Sequence, residues 1–187
     1  LAELHEALVT VIVPHAGGAD AAEGHVVLRH LERTVIDAHP AGKGAADHLV
    51  LQGLEYHRRS SVSAENNKKA LELFTKATEV DPNYARAHAW KCCSLGNNSD
   101  WFPDDMPENW MQDAFGSVNK ALELDPNDPE AHRIMGAVKL LFEGDMESAI
   151  FHHEKAIEIC PSDTFHIARY SILLVYLGEP EKGLAEI

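Results

Sequence analysis

The 187-residue chain lacks a long hydrophobic run and an excess of basic residues. The apolar stretch "LVTVIV" ends at Pro14 and is far shorter than the roughly 20 residues of a membrane-spanning helix. Its 30 acidic residues outnumber the 16 Lys and Arg, so the formal net charge is −14. Because nucleic acids and anionic membrane surfaces repel such a chain, we expect neither as a partner.

Cysteine is also scarce, and its spacing excludes a disulfide framework. Cys92 and Cys93 are adjacent, and Cys160 stands alone. Secreted domains that depend on disulfides carry more cysteines at regular spacing. The pattern therefore predicts a reducing compartment, that is, a cytoplasmic location.

Motifs for nucleotide binding and nucleophilic catalysis are missing as well. The sequence contains no GxxxxGK, GxGxxG or GxSxG, and "AGKG" at 41–44 is interpreted as a linker. His88 and Cys92 have the four-residue spacing of two ligands on one helical face, but no second pair completes a metal site. We expect no catalytic residues, no cofactor and no bound metal in this chain.

What the sequence does contain is an internal repeat. Three segments that begin near Lys69, Asp113 and Ser148 can be aligned without gaps over 22 residues. Their shared positions lie 44 residues apart between the first and second segments and 35 apart between the second and third, namely Ala70, Ala114 and Ala149, then Ala77, Ala121 and Ala156, then Pro82, Pro126 and Pro161. Repeated units of this length stack, because a single unit cannot bury its own apolar face.

Each unit is expected to form two antiparallel helices. Apolar residues recur at three- and four-residue steps, as in 146–160, which is typical of an amphipathic helix. The small Ala residues would let helices approach closely, and Gly136 would do the same in the third unit. The Asp-Pro pairs would cap the next helix and form the corner between units. Cys92 stands where the pattern predicts Gly, which favours a wider crossing there.

The Ala, apolar or aromatic, Ala and Pro series resembles the tetratricopeptide (TPR) repeat. The resemblance implies an all-α fold, an α-solenoid of TPR-like helix hairpins with an N-terminal helical extension. The predicted division is an N-terminal helical segment and linker at 1–46, followed by repeats at 47–187. The repeats are expected at about 47–82, 83–126 with an insertion near 97–107, 127–161 and a truncated 162–187.

A second resemblance concerns the order of segments. Residues 9–33 followed by "ADHLVLQGLEYHRR" are similar to the region behind the class III adenylate/guanylate cyclase domain of bacterial multidomain regulators. It implies a regulatory or dimerising region of a larger bacterial enzyme, or of a transcriptional regulator. In that case Leu1, Leu4, Leu8 and Ile12 would lie on a transmitting helix; otherwise this helix packs on the first repeat. The absence of an initial Met suggests a piece of a longer polypeptide.

The TPR resemblance implies a non-enzymatic protein–protein interaction scaffold that binds a peptide or protein segment, or a second copy, in a concave groove. The first helices of the units would provide the groove residues. These are Arg86, Ala89 and Cys93; Glu130, Arg133 and Ala137; and Phe165, Ala168 and Ile172. Because this face offers few bases, it suits an apolar or mildly basic segment better than an acidic tail.

The lengthened connection in the second unit contains Trp101, Phe102 and Trp110 among acidic residues. Exposed aromatic residues beside acids would form a binding site at the rim for a peptide or cationic ligand. Alternatively, the aromatic residues fold back onto their own helix pair as a small satellite core, which is favoured because long ordered connections need their own packing.

Overall fold

A computed structural model describes residues 41–58 and 63–185 of the chain. Within these ranges the secondary structure is helical and contains no strand. The helices are α1 (Ala41–His57), α2 (Ala64–Val80), α3 (Ala85–Trp101), α4 (Trp110–Leu124), α5 (Pro129–Val138), α6 (Met146–Ile159), α7 (Thr164–Tyr176) and α8 (Pro180–Ala185). A 3₁₀ turn at Pro103–Asp105 precedes α4, and a π-helical turn at Lys139–Glu143 extends α5. The all-α expectation is confirmed.

Consecutive helices pair as hairpins and the hairpins stack along the chain. The pairs are α1 with α2, α3 with α4, α5 with α6, and α7 with α8, and each pair contacts the next. The repeated small residues lie at these crossings: Ala70, Ala77, Ala121, Ala149 and Ala156 are fully buried and Ala114 is 4% exposed. An α-solenoid is therefore confirmed, with the small residues where two helices approach most closely.

The closest approach in the third hairpin involves Gly136. A Cβ atom at this position would lie 2.8 Å from His153 Cδ2 and 3.1 Å from the backbone oxygen of Ala149. In the second hairpin Cys92 takes the corresponding place and is buried in the cluster formed by α3, α4 and α5. The crossing in the second hairpin thus accommodates a side chain that the crossing in the third excludes.

The corner between hairpins is built differently from the sequence expectation. Asp81 and Asp125 end the preceding helices, and their carboxylates accept hydrogen bonds from the backbone N–H of Asn83 and Asn127, both at 3.0 Å. A later residue caps the following helix. At α5, for example, the Asp128 carboxylate accepts a hydrogen bond from the backbone N–H of Ala131 at 2.8 Å. The prediction that the Asp of Asp-Pro caps the following helix was wrong, because its carboxylate is used in a local turn.

Two further segments can be compared with their sequence expectation, the start of α1 and the end of α3. The "AGKG" stretch at 41–44 was interpreted as a linker but forms the first turn of α1. In the second unit, α3 continues to Trp101 and the extra residues occupy the 3₁₀ turn before Trp110, close to the predicted insertion. The exact unit boundaries stay a prediction.

The predicted N-terminal helical extension, including Leu1, Leu4, Leu8 and Ile12, lies outside the described residues. The same holds for most of the stretch that resembles the region behind cyclase domains. Among the helices that the structure describes, none combines the length and the apolar character needed to cross a membrane.

Candidate functional site: an apolar cavity along the first helices

The first helices of the hairpins line one continuous cavity of about 120 Å³, which we call the groove cavity. Helices α3, α5 and α7 provide most of its wall, α1 contributes His57, and Trp110 of α4 and His153 of α6 reach it from the second layer. The lining is mainly apolar, with Ala137, Leu141, Phe142 and Ile172 among its residues. Such a cavity suits an apolar side chain better than a strongly charged group.

Five of the nine groove residues expected from the sequence line this cavity. They are Cys93, Arg133, Ala137, Phe165 and Ile172. Glu130 lies beside the cavity, where it holds Arg133.

The other three lie elsewhere. Ala89 is fully buried in the cluster formed by α3, α4 and α5, so its side chain cannot contact a ligand. Arg86 is exposed, near Asp128 and outside the cavity lining. Ala168 is also exposed and outside that lining, because Arg169, one residue further on, takes the inward position on α7.

Arg133 is the central polar group of the site. Its Nε donates to Glu130 Oε2 at 2.7 Å, and its side chain is only 8% exposed. The guanidinium lies over two aromatic rings, 5.6 Å from the centroid of Trp90 and 5.2 Å from that of Phe165. A planar guanidinium suits this position because it can stack and hydrogen-bond at once.

Glu130 links two hairpins. Its second oxygen, Oε1, lies 3.3 Å from Nε2 of His166 on α7. Burial alone would raise the pKa of the Glu130 carboxyl, but the Arg133 charge and the hydrogen bonds from His166 and Arg133 outweigh burial and lower it to about 2. The carboxylate is therefore ionised at neutral pH and balances the Arg133 charge.

A second guanidinium, that of Arg169, lies 4.6 Å from the centroid of the Phe165 ring. Burial and the nearby positive charge of Arg133 lower the Arg169 pKa to about 10. Phe165, which is 37% exposed, is thus held between two cations and presents apolar surface at the cavity. Phe165 therefore contributes an aromatic surface to the cavity, and the guanidinium groups of Arg133 and Arg169 lie beside its ring.

The three aromatic residues of the connection in the second unit have different environments. Trp110 is half-buried, packs against the cluster formed by α3, α4 and α5, and contacts Phe142 edge-on with ring centroids 5.7 Å apart. Trp101 is 42% exposed at the end of α3. Phe102 is half-buried, and Lys68 Nζ lies 5.7 Å from its ring centroid. Trp110 is the one of the three that lines the groove cavity.

Glu130, Asp163 and His166 also meet the geometric condition for a metal site, with one possible ligand atom each within 4.8 Å of one another. Among these atoms, His166 Nε2 lies 4.0 Å from Asp163 Oδ2. However, Glu130 already accepts a hydrogen bond from the Arg133 guanidinium, whose charge repels a cation. The arrangement fits a hydrogen-bonded ion cluster better than a metal site.

Sequence reasoning missed several lining residues, including His57, Asn97, Arg169 and Phe142. A signal for two of them was present, because Asn97 follows Cys93 and Arg169 follows Phe165 by four residues, one helical turn. His57 could not have been placed, since it reaches the cavity only through the packing of α1 against α3.

Comparison with known proteins bears on the fold. No family model matches the chain. The structure of PilF from Pseudomonas aeruginosa is similar with a TM-score of 0.57 and 20% identity, over 79% of this chain and 60% of that one. The first TPR domain of human RPAP3 is similar with a TM-score of 0.53 and 16% identity, over 75% of this chain and 98% of that domain.

These identities are too low to carry a function, but each likeness covers three quarters or more of this chain. This chain spans about 60% of the length of the PilF chain that it matches. The resemblance to regulators that contain a cyclase finds no support among these structures. Together with the buried repeat alanines, they show that the chain has a tetratricopeptide-repeat fold.

Proposed function

We propose that the protein is a non-enzymatic scaffold that binds an apolar segment of a protein or peptide in the groove cavity. The observation that supports this most directly is the composition of the cavity wall. Three successive first helices contribute apolar side chains to it, and the charge of Arg133 is balanced internally by Glu130. Transfer of an apolar segment from water into this cavity would cost little desolvation free energy. An acidic tail would pay a larger desolvation cost and would find few cations to pair with.

Phe165 and Ile172 would be the main contacts. They lie seven residues apart on α7 and both line the cavity, so they form one stripe on the same helical face. Aromatic side chains in partly enclosed positions commonly dominate interface energies. Arg133 and Arg169 would hold the Phe165 ring in place for such a contact, and Arg133 also lies over the Trp90 ring.

The test uses peptides selected from a displayed random library against the purified protein, with affinity measured by fluorescence polarisation. Selected sequences should be rich in apolar residues. Ile172→Asp should weaken binding at least about tenfold, because a bound apolar segment would bury an unpaired carboxylate. Ala168→Asp is the matched control, since it adds the same charge to the same helix at an exposed position outside the lining.

Two results would contradict the proposal: selected peptides that bind equally well to both variants, or peptides that lose affinity only with Ala168→Asp. Either would place the binding surface outside the cavity. A second copy of the chain is the other occupant to consider, and sedimentation of wild type and Ile172→Asp would reveal it as a dimer that the variant abolishes. The cytoplasmic location and the absence of nucleic-acid or membrane partners remain parts of this proposal.

A further inference from the structure

Cys93 and His57 meet at the wall of the groove cavity, although they come from different helices. Cys93 Sγ on α3 lies 3.6 Å from His57 Nε2 on α1. The other ring nitrogen, His57 Nδ1, lies 3.4 Å from Ser94 Oγ. A thiol, an imidazole within reach of its proton and a hydroxyl on the far side of the ring form the arrangement of an activated nucleophile.

The imidazole is held by packing as well as by hydrogen bonds. The His57 ring lies edge-on to Trp90 with centroids 4.9 Å apart, and edge-on to Phe74 at 6.2 Å. Both rings belong to the buried cluster between the first two hairpins. His57 therefore has little freedom to turn away from Cys93.

Charged and titratable groups from several helices line the cavity around Cys93, including Asp100 of α3 and His153 of α6. His57 faces Cys93 from α1, Arg133 from α5 and Arg169 from α7, while Glu130 balances part of the Arg133 charge. Burial opposes ionisation of the Cys93 thiol, but His57 and Arg133 outweigh it and lower its pKa to about 7. Burial instead raises the pKa of the neighbouring Cys92, which also lines the cavity but belongs to the buried apolar cluster.

We propose that Cys93 is a nucleophilic thiol activated by His57, and that the groove cavity is a site of covalent modification by low-molecular-weight disulfides. The proposal does not depend on the cavity binding a protein segment. It requires only that a small disulfide reach the half-buried Cys93 from the cavity that it lines.

The reaction is thiol–disulfide exchange and needs no additional oxidant. His57 Nε2 takes the thiol proton, and the Cys93 thiolate attacks one sulfur of the small disulfide. The sulfur–sulfur bond of the reagent breaks as the Cys93 mixed disulfide forms. The departing thiolate takes the proton back from the imidazolium, so one small thiol is released for each cysteine modified.

The test measures the rate of modification by dithiodipyridine, a neutral aromatic disulfide, between pH 5 and 9. Mass spectrometry of peptides assigns the modified cysteine, and Cys92 and Cys160 serve as internal references. At pH 7 about half of Cys93 would be thiolate, against about 3% of a thiol with the ordinary pKa of 8.5. The thiolate fraction of Cys93 is thus roughly fifteen times higher. Because a less basic thiolate is a weaker nucleophile, the expected reaction rate at equal access is only about three times higher.

Because partial burial also slows the reagent, the midpoint of the pH–rate profile is the decisive measurement. We expect a midpoint near pH 7 for Cys93, and a shift towards about 8.5 in His57→Asn. His88→Asn is the matched control, since His88 contacts the Pro82 carbonyl away from the cavity and its loss should leave the profile unchanged. If His57→Asn does not fold, His57→Gln replaces it, because an amide cannot accept the thiol proton.

Three outcomes would overturn the proposal. The first is a midpoint for wild-type Cys93 at the value of an ordinary thiol. The second is a profile that His57→Asn leaves unchanged while circular dichroism shows a folded variant. The third is modification of Cys160 alone while Cys93 stays unreacted.

Discussion

Replacing Gly136 by Ala is the sharpest test of the helix packing described above. The new Cβ would lie 2.8 Å from His153 Cδ2, 3.0 Å from His153 Nε2 and 3.1 Å from the Ala149 backbone oxygen. The imidazole cannot easily give way, because His153 is buried and its ring is stacked with Tyr170. The backbone of α6 is the third contact, so α5 and α6 would have to move apart.

Two opposing effects set the size of the change. Overpacking a closely packed crossing costs about 1–3 kcal/mol, whereas Ala in place of Gly inside a helix contributes about 0.5–1 kcal/mol of stability. We therefore expect Gly136→Ala to lower the free energy of unfolding by about 1–2 kcal/mol. For a chain of this size that corresponds to a fall in Tm of roughly 2–8 °C.

The matched control is Gly116→Ala on α4. Gly116 is exposed, and a Cβ there would have no heavy atom within 4 Å. The same substitution should thus raise the free energy of unfolding by about 0.5–1 kcal/mol, through the reduced freedom of the unfolded chain. Thermal and urea unfolding followed by circular dichroism would compare both variants with the wild type. If Gly136→Ala raises the Tm as Gly116→Ala does, the close crossing of α5 and α6 is incorrect.

Three further predictions concern stability. In urea unfolding, Trp110→Ala should lower the free energy of unfolding by about 2–4 kcal/mol and Trp101→Ala by less than about 1 kcal/mol, because of the two only Trp110 packs on a core. Equal losses for the two variants would contradict this. Ala156→Leu should cost about 1–3 kcal/mol in the same assay, because Ala156 is fully buried, and an unchanged midpoint would place it away from a crossing. Burial and neighbouring cations lower the pKa of His153 in the folded protein to about 3, whereas its value in the unfolded chain is near 6.5. Between these two pH values the unfolded chain binds a proton that the folded protein does not bind. The free energy of unfolding should then fall by up to about 2 kcal/mol between pH 7 and 5, and a flat profile would refute the buried neutral imidazole.

Much of the fold followed from local patterns in the chain. The repeat alanines were found by their spacing alone, and they are buried at the helix crossings. Gly136 was assigned to a close contact for the same reason, and the contact is present. These predictions succeeded because helical periodicity and side-chain size act between neighbours whose separation along the chain is constant.

The groove residues expected from the sequence agree only in part with the cavity lining, because that expectation depended on the rotation of each helix about its axis. On α7, Ala168 was chosen and Arg169 is the residue that lines the cavity, a difference of one residue or about 100° around the helix. On α3, Ala89 and Cys93 were placed on one face, yet Ala89 is fully buried and Cys93 reaches the cavity. The sequence pattern contains the helical period but leaves the direction of the groove undetermined.

The sequence by itself determined the helical class, the repeat, and the small residues that allow the hairpins to stack, since each depends on spacing within one or two helices. Only the tertiary structure decided which distant side chains meet. Glu130 and His166 are 36 residues apart and lie within 3.3 Å, and the same sequence separation divides His57 from Cys93. No pattern in the chain predicts such pairs, because their distance depends on how successive hairpins rotate against each other, which is set by packing summed over whole helix faces.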